Sequence, residues 1–156
     1  MCSQRCTLST KGSSRVSDAN KAVVRKWIES ITAGDVASYR SCYSDDGRHE
    51  VTGTCFMSGV FTPDQASGAV ATIRSVTRDG LKMNIINMTA EGDRVCAEVR
   101  SEAELTTGQT YHNLYHFLFI LRDQKFVCVK EFLDTKMVDD NFKPAWDARE
   151  PQAASS

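Results

Sequence analysis

Four ionisable residues could run acid–base chemistry in a water-poor pocket: Glu131, Arg100, Glu102 and His49. Glu98, Arg100 and Glu102 alternate along one stretch. A desolvated guanidinium there would hold one carboxylate ionised, while a second, poorly paired carboxylate has its pKa raised. Such a set supplies a general acid and a general base. The competing reading of the same row is a line of solvated charges on a half-exposed strand. A histidine on the wall of an apolar pocket titrates near neutral pH and serves either role; otherwise His49 is a hydrogen-bonded structural residue. Asn113 and Tyr115, an amide and a phenol, are suited to polarising a substrate carbonyl, or to bonding across strands to Glu102 or Arg100. Phe117, Trp27 and Phe56 are candidate apolar walls.

The stretch that must position most of these groups is Tyr111–Asp134, YHNLYHFLFILRDQKFVCVKEFLD. Two runs rich in aromatic and β-branched residues flank the polar break Arg122-Asp123-Gln124-Lys125, the pattern of two antiparallel strands and their turn. If Thr107-Gly108 makes a two-residue turn, Glu102 pairs with Asn113, Arg100 with Tyr115 and Glu98 with Phe117. All six then share one sheet face, with Val95, Ala97, Val99, Leu114, His116, Leu118 and Ile120 on the other. A turn with an odd number of residues changes this pairing. His112, His116 and Asp134 fall away from the pocket side and stay outside the catalytic set.

Upstream, Ser17 or Asp18 can cap a helix whose apolar stripe is Val24, Trp27, Ile28 and Ile31, ended by Gly34. Asp35 caps a short second helix with Val36, Tyr39 and Tyr43 on one face. Residues 48–53 alternate as a strand carrying His49. Residues 55–61, CFMSGVF, form either an apolar loop tucked under the fold or a flap over a cavity mouth. Thr62-Pro63-Asp64-Gln65 opens a third helix with a capping box, and Asp79-Gly80 closes it. Four strands follow, over 81–90, 94–106, 109–121 and 125–134. Helices first and an antiparallel meander afterwards is an α+β pattern, helices gathered on one face of a strongly curved sheet. The spacing predicts a domain over residues 17–140 between a flexible tail, 1–16, and a C-terminal tail, 141–156. Met137, Val138, Phe142 and Trp146 near that end either plug the fold or lie along a partner.

Of the 156 residues, 41% are hydrophobic and 25% charged, the balance of an ordinary globular domain. A net charge of -1 with no basic block argues against a nucleic acid or an anionic membrane surface as partner. No apolar run approaches the roughly 20 residues of a membrane span, and the N-terminus lacks the hydrophobic segment of a secretory signal. A cytoplasmic protein is expected. Its six cysteines show no ligand spacing, and Cys42, Cys96 and Cys128 read as small buried hydrophobes. No metal motif, glycine-rich phosphate loop or other cofactor signal is present.

The order of elements, with Trp27 followed by Gly34-Asp35, Met88–Val95 (MTAEGDRV), Gly108 with Tyr111, Asn113–Phe117 (NLYHF) and Val129–Thr135 (VKEFLDT), resembles the SnoaL-like branch of the NTF2-like superfamily. That group includes ketosteroid isomerase, polyketide cyclases and limonene-epoxide hydrolase. The resemblance covers residues 18–140. It implies a cone whose concave sheet and helices enclose an apolar pocket, commonly in a homodimer formed through the outer sheet face. In the epoxide hydrolases, carboxylates on two strands, with an Arg beside one of them, activate water and protonate the epoxide. Glu131 matches the last-strand carboxylate. On the earlier strand, an ungapped match from Gly108 places Glu98 and Arg100 over the Arg and Asp with charges inverted, whereas a hairpin shorter by two residues places Arg100 and Glu102 there. The water-holding Tyr and Asn fall near His49 and Val51, which departs from that mechanism. The resemblance thus implies a cofactor-independent acid–base enzyme, an isomerase, cyclase or epoxide hydrolase, acting on a hydrophobic polyketide, terpenoid or steroid-like molecule. A non-catalytic ligand-binding or dimerisation module of the same fold is the alternative.

Overall fold

The computed structural model describes residues 10–149. Helix α1 runs Thr10–Ala33, α2 Val36–Ser41 and α3 Pro63–Val76. The strands are β1 Tyr43–Val51, β2 Gly59–Phe61, β3 Lys82–Glu91, β4 Arg94–Glu104, β5 Thr110–Arg122 and β6 Lys125–Leu133. A terminal segment follows, with a turn α4 at Thr135–Met137, a π-helical turn at Val138–Phe142 and α5 at Lys143–Ala148. The sheet order is β2-β1-β6-β5-β4-β3. Among the described residues β1 pairs with β6 in parallel and the other pairings are antiparallel. This is the expected α+β, NTF2-like architecture: N-terminal helices on a mainly antiparallel curved sheet.

The stripe of α1 buries Val24, Trp27, Ile28 and Ile31 against the sheet. The helix starts seven residues before Ser17, so residues 10–16, expected in the tail, are helical. Residues 14–16 are exposed and bury nothing, which leaves no periodicity to mark them. The remainder of that tail, 1–9, lies outside the described residues. Gly34 ends α1 at φ +69°, the left-handed conformation that glycine adopts without cost. At α3 the capping box forms in full: Thr62 Oγ1 accepts from the Gln65 N–H, and Gln65 Oε1 accepts from the Thr62 N–H.

Two of the corrections concern the ends of elements and the register. Tyr43 does not share a helix face with Tyr39, because α2 stops at Ser41 and Tyr43 opens β1. The β4–β5 register also differs by one residue. Glu104 pairs with Thr110, and the five residues between them close through hydrogen bonds from Leu105 N to Gln109 O and from Gly108 N to Leu105 O. Leu105 is fully buried and bridges to Thr77 at the end of α3, so it is drawn out of the hairpin end into the core. An odd loop inverts the pairing. Ser101 now lies opposite Asn113, Val99 opposite Tyr115 and Ala97 opposite Phe117.

The inner face of β4 is therefore Val95, Ala97, Val99, Ser101 and Ala103, all buried with Tyr111, Asn113, Tyr115, Phe117 and Phe119 of β5. Arg100 and Glu102 are exposed on the outer face, and Glu98 is half-buried there. At the C-terminal end, residues 141–149, expected in a tail, pack on the domain: Phe142 and Ala145 are buried, and Phe142 lies 5.1 Å from the Tyr111 ring. They form a plug. Residues 150–156 lie outside the described residues.

Candidate active site

The cone encloses a cavity of about 600 Å³, within the range that holds a drug-sized ligand. Its walls come from α1 (Trp27, Ile31), α3 (Ala66, Val70, Ile73), the inner face of β5 (Tyr111, Tyr115, Phe117) and the terminal plug (Val138, Phe142, Trp146). The 55–61 stretch supplies Phe56, Met57 and Phe61. Cys55 is buried, and the Phe56 ring lies 5.7 Å from that of Trp146. The Phe56 N–H donates to Asp139 Oδ1 at 2.9 Å, tying that loop to the plug.

Among its lining residues Glu131 is the only carboxylate. β6 pairs in parallel with β1 so that Glu131 stands beside Val51, one strand position from His49 on the same face. His49 Nε2 is hydrogen-bonded to Glu131 Oε2 at 2.8 Å. His49 Nδ1 is 2.8 Å from the Tyr43 hydroxyl, and that hydroxyl is 3.3 Å from the Tyr39 hydroxyl. The chain Glu131–His49–Tyr43–Tyr39 is continuous, and both its ends line the cavity. With His49 neutral, Nε2–H donates to the carboxylate and Nδ1 accepts from Tyr43. With His49 protonated, Nδ1–H donates to Tyr43 and the phenols point the other way. The second carboxylate oxygen, Oε1, takes no hydrogen bond from the described residues. The Glu131 side chain keeps 17% of its surface exposed, and that oxygen is open to a ligand.

Trp27 forms the floor: its ring stacks on His49 at 6.0 Å and meets Tyr39 at 5.1 Å and Phe117 at 5.3 Å. Its buried indole N–H has no acceptor among the described residues. Burial raises the phenols of Tyr39, Tyr43, Tyr111 and Tyr115 above the ordinary tyrosine value, Tyr111 to about 12, and in each the nearby Glu131 charge adds to the rise. All four stay neutral hydrogen-bonding groups at physiological pH.

The structure thus brings together Glu131, His49, Tyr115, Phe117, Trp27 and Phe56 from the expected set. Arg100 and Glu102 are corrected: the shifted register turns them outward, and the arginine–carboxylate row stands in solvent. Asn113 is buried on the inner face but does not line the cavity. Its Oδ1 accepts from the N–H groups of Leu114 and Asp134, and its Nδ2 donates to the Asp134 carbonyl and the Tyr111 hydroxyl. Asp134 caps the turn after β6, and His112 and His116 point outward, all three outside the site as expected. Tyr39, Tyr43 and Tyr111 were not anticipated. For Tyr111 a signal existed, since it lies four residues before Tyr115 and so on the same strand face.

The sequence matches the SnoaL-like domain family over residues 24–129. Solved structures share the fold at low identity. PrhC from Penicillium brasilianum NBRC 6234 superposes with a TM-score of 0.73 at 15% identity, covering 83% of this chain and 93% of that one. TerC, co-crystallised with polyporic acid, gives 0.67 at 16%, covering 83% and 99%. An NTF2-like protein from Burkholderia xenovorans LB400 gives 0.64 at 14%, covering 78% and 94%. No curated protein matches the sequence significantly. With the family matched over most of the chain and the cone present, the chain belongs to the SnoaL-like domain family, on the NTF2-like fold.

Proposed function

We propose that this protein is a cofactor-independent acid–base enzyme that moves a proton on a hydrophobic small molecule, as an isomerase or cyclase of polyketide, terpenoid or steroid-like compounds. The observation that carries the reading is the Glu131–His49 pair at 2.8 Å on the wall of a mainly apolar cavity, with one carboxylate oxygen left open. Glu131 takes the proton through Oε1. His49 orients the carboxylate and couples it to Tyr43 and Tyr39, so the loss of charge at the carboxylate as it takes the proton is accommodated by rearranging hydrogen bonds rather than by water. Trp27, Phe56 and Phe117 exclude solvent and hold the ligand. Epoxide opening of the limonene type loses support, because Arg100 and Glu102 lie on the outer face.

A panel of enones, enolisable polyketones and epoxides tests this. Turnover of an enone or a polyketone is expected, and Glu131→Gln lowers it by roughly 10² to 10⁴ while binding persists. Ligand binding with no turnover of any class would instead establish a non-catalytic binding module. Association as a homodimer through the outer sheet face belongs to the same reading. It is supported by Leu114 and Phe132, diagonal neighbours on β5 and β6 that are 50% and 44% exposed; a sedimentation mass of one chain would rule it out. A cytoplasmic setting, in which the free thiols of Cys42, Cys55, Cys96 and Cys128 stay reduced, is part of the proposal. Among the described residues no helix is long and apolar enough to cross a membrane.

A further inference from the structure

The cavity reaches solvent beside α3. Gln65 and Gly68 line it and are nonetheless exposed, so its mouth lies along that helix. α3 contacts both β2, where the loop of residues 53–59 rejoins the sheet, and α5, which carries Trp146. The other edge of the mouth is thus the meeting of that loop with the terminal plug. Phe56 and Trp146, 5.7 Å apart and inclined at 62°, line the cavity from the two sides. Lys143 stands over the Phe56 ring at 5.8 Å and Arg149 over Trp146 at 4.4 Å, so each ring is covered by a cation of the plug.

The loop holds together as one piece. The Ser58 N–H donates to the Cys55 carbonyl at 2.9 Å and Ser58 Oγ to the Thr52 carbonyl at 3.1 Å, which closes the loop on itself. Its base is fixed at Thr52, whose N–H and hydroxyl both donate to the Glu131 carbonyl. Beyond that base a glycine stands at each end, Gly53 at φ +84° and Gly59 at φ +154°, conformations that other residues rarely adopt. Cys55 is the one fully buried residue between them. The plug is the fixed partner, since Val138, Phe142 and Ala145 are buried in the core. Among the described residues a single hydrogen bond joins loop and plug, from the Phe56 N–H to Asp139 Oδ1 at 2.9 Å. Asp139 is held for it by the π-helical turn whose first and last residues, Val138 and Phe142, are two of those anchors.

We infer that residues 53–59 are a flap over the cavity mouth, hinged at Gly53 and Gly59 and latched by Asp139, and that a ligand enters and leaves when that one bond opens. Asp139 is a positioning residue: it touches no ligand and acts by holding Phe56 against Trp146. A few residues at the ends of an element that absorb the backbone change are the usual hinges of a gated site. The bonds from Thr52 to Glu131 lie outside the hinges, so the flap swings without disturbing the strand that carries the carboxylate. A latch that is closed in both the free and the bound chain slows passage in both directions and leaves affinity, the ratio of the two rates, unchanged. The inference rests on the cavity being the ligand site of the proposed function, but not on proton transfer.

The test follows N-phenyl-1-naphthylamine, a neutral apolar fluorophore, into and out of the cavity by stopped flow. In Asp139→Ala association and dissociation should both quicken about tenfold, the worth of one hydrogen bond to a charged acceptor, while the dissociation constant holds. Asp139→Asn keeps an acceptor oxygen in the same place and should return both rates close to the native ones. Faster dissociation alone is what a plain wall contact would give and overturns the inference. Unchanged rates in Asp139→Ala, no rescue in Asp139→Asn, or no binding of the probe to the native chain does so as well. A second measurement uses the native chain, so it stands even if Asp139→Ala does not fold. The Phe56 N–H should exchange with deuterium through a local opening whose free energy does not depend on urea; exchange by global unfolding alone would refute the flap. Every readout is a binding or exchange rate, so absence of turnover and absence of the flap are separate results.

Discussion

Glu131 and His49 illustrate how much a single contact decides. Neither residue type is unusual on a strand, and the Nε2–Oε2 bond at 2.8 Å exists only because β6 lies parallel to β1 and brings the two side chains to one face. Trp27 matters as much for stability as for the site. It is 1% exposed and meets Tyr39, His49, Phe117, Phe119 and Phe126. Trp27→Ala should cost about 3 to 5 kcal/mol in urea unfolding, since it removes a large buried side chain from the centre of the core. Trp27→Phe should cost less, because it keeps much of the packing and removes an indole N–H that has no acceptor. Equal losses in the two variants would show that volume is not the governing quantity.

At the scale of elements, the two hairpins behave differently for a physical reason. The β5–β6 turn was legible. Arg122 pairs with Lys125, and Asp123 and Gln124 occupy φ +50° and +57°, the two-residue turn whose twist matches the strands. A glutamine in the left-handed region carries strain of about 1 kcal/mol, so Gln124→Gly should raise the urea midpoint without changing the slope. The β4–β5 turn was not legible, because Thr107-Gly108 resembles a two-residue turn while the chain closes over five. The alternation of β4 held the contrary signal: Val95, Ala97, Val99, Ser101, Ala103 and Leu105 fall on every second residue, all but Ser101 apolar, and bury together. On β5 both faces are apolar enough to go inside, so that strand could not correct the register. Gly53 shows a similar dependence on distant chain. It sits at φ +84°, and a Cβ there would lie 2.6 Å from Thr135 Cγ2. Gly53→Ala should destabilise by about 1 to 3 kcal/mol, lowering the midpoint of thermal unfolding.

For the molecule as a whole, the tyrosines give a single readout. The chain has four, and all four are buried in or beside the cavity. Their folded pKa values are raised, Tyr111 to about 12. A phenol whose folded value exceeds its unfolded value near 10 contributes stability in full below pH 10, and that stability is lost as pH rises through the folded value. Tyrosinate absorbance should therefore stay flat through pH 10 and rise at higher pH together with loss of the circular dichroism of the fold. Ionisation of any phenol near pH 10 in the native protein would mean that the cavity is open to bulk water.

The sequence by itself determined that three helices precede the long strands, the caps at Asp35 and Thr62 and the stop at Gly34, the number and order of the long strands, the α+β class and the family. These follow from local periodicity and capping chemistry, which a linear chain displays. It also identified Glu131, His49, Trp27, Phe56, Tyr115 and Phe117 as residues to watch. Only the tertiary structure decided which of the charged residues meet: it turned Arg100 and Glu102 outward, joined Glu131 to His49 and the phenols, and made Asn113 a clamp on Tyr111. A strand has period two, so one residue of loop length exchanges its faces. That length was settled by Leu105 packing into the core against Thr77, a long-range contact that the turn residues Thr107-Gly108 do not display.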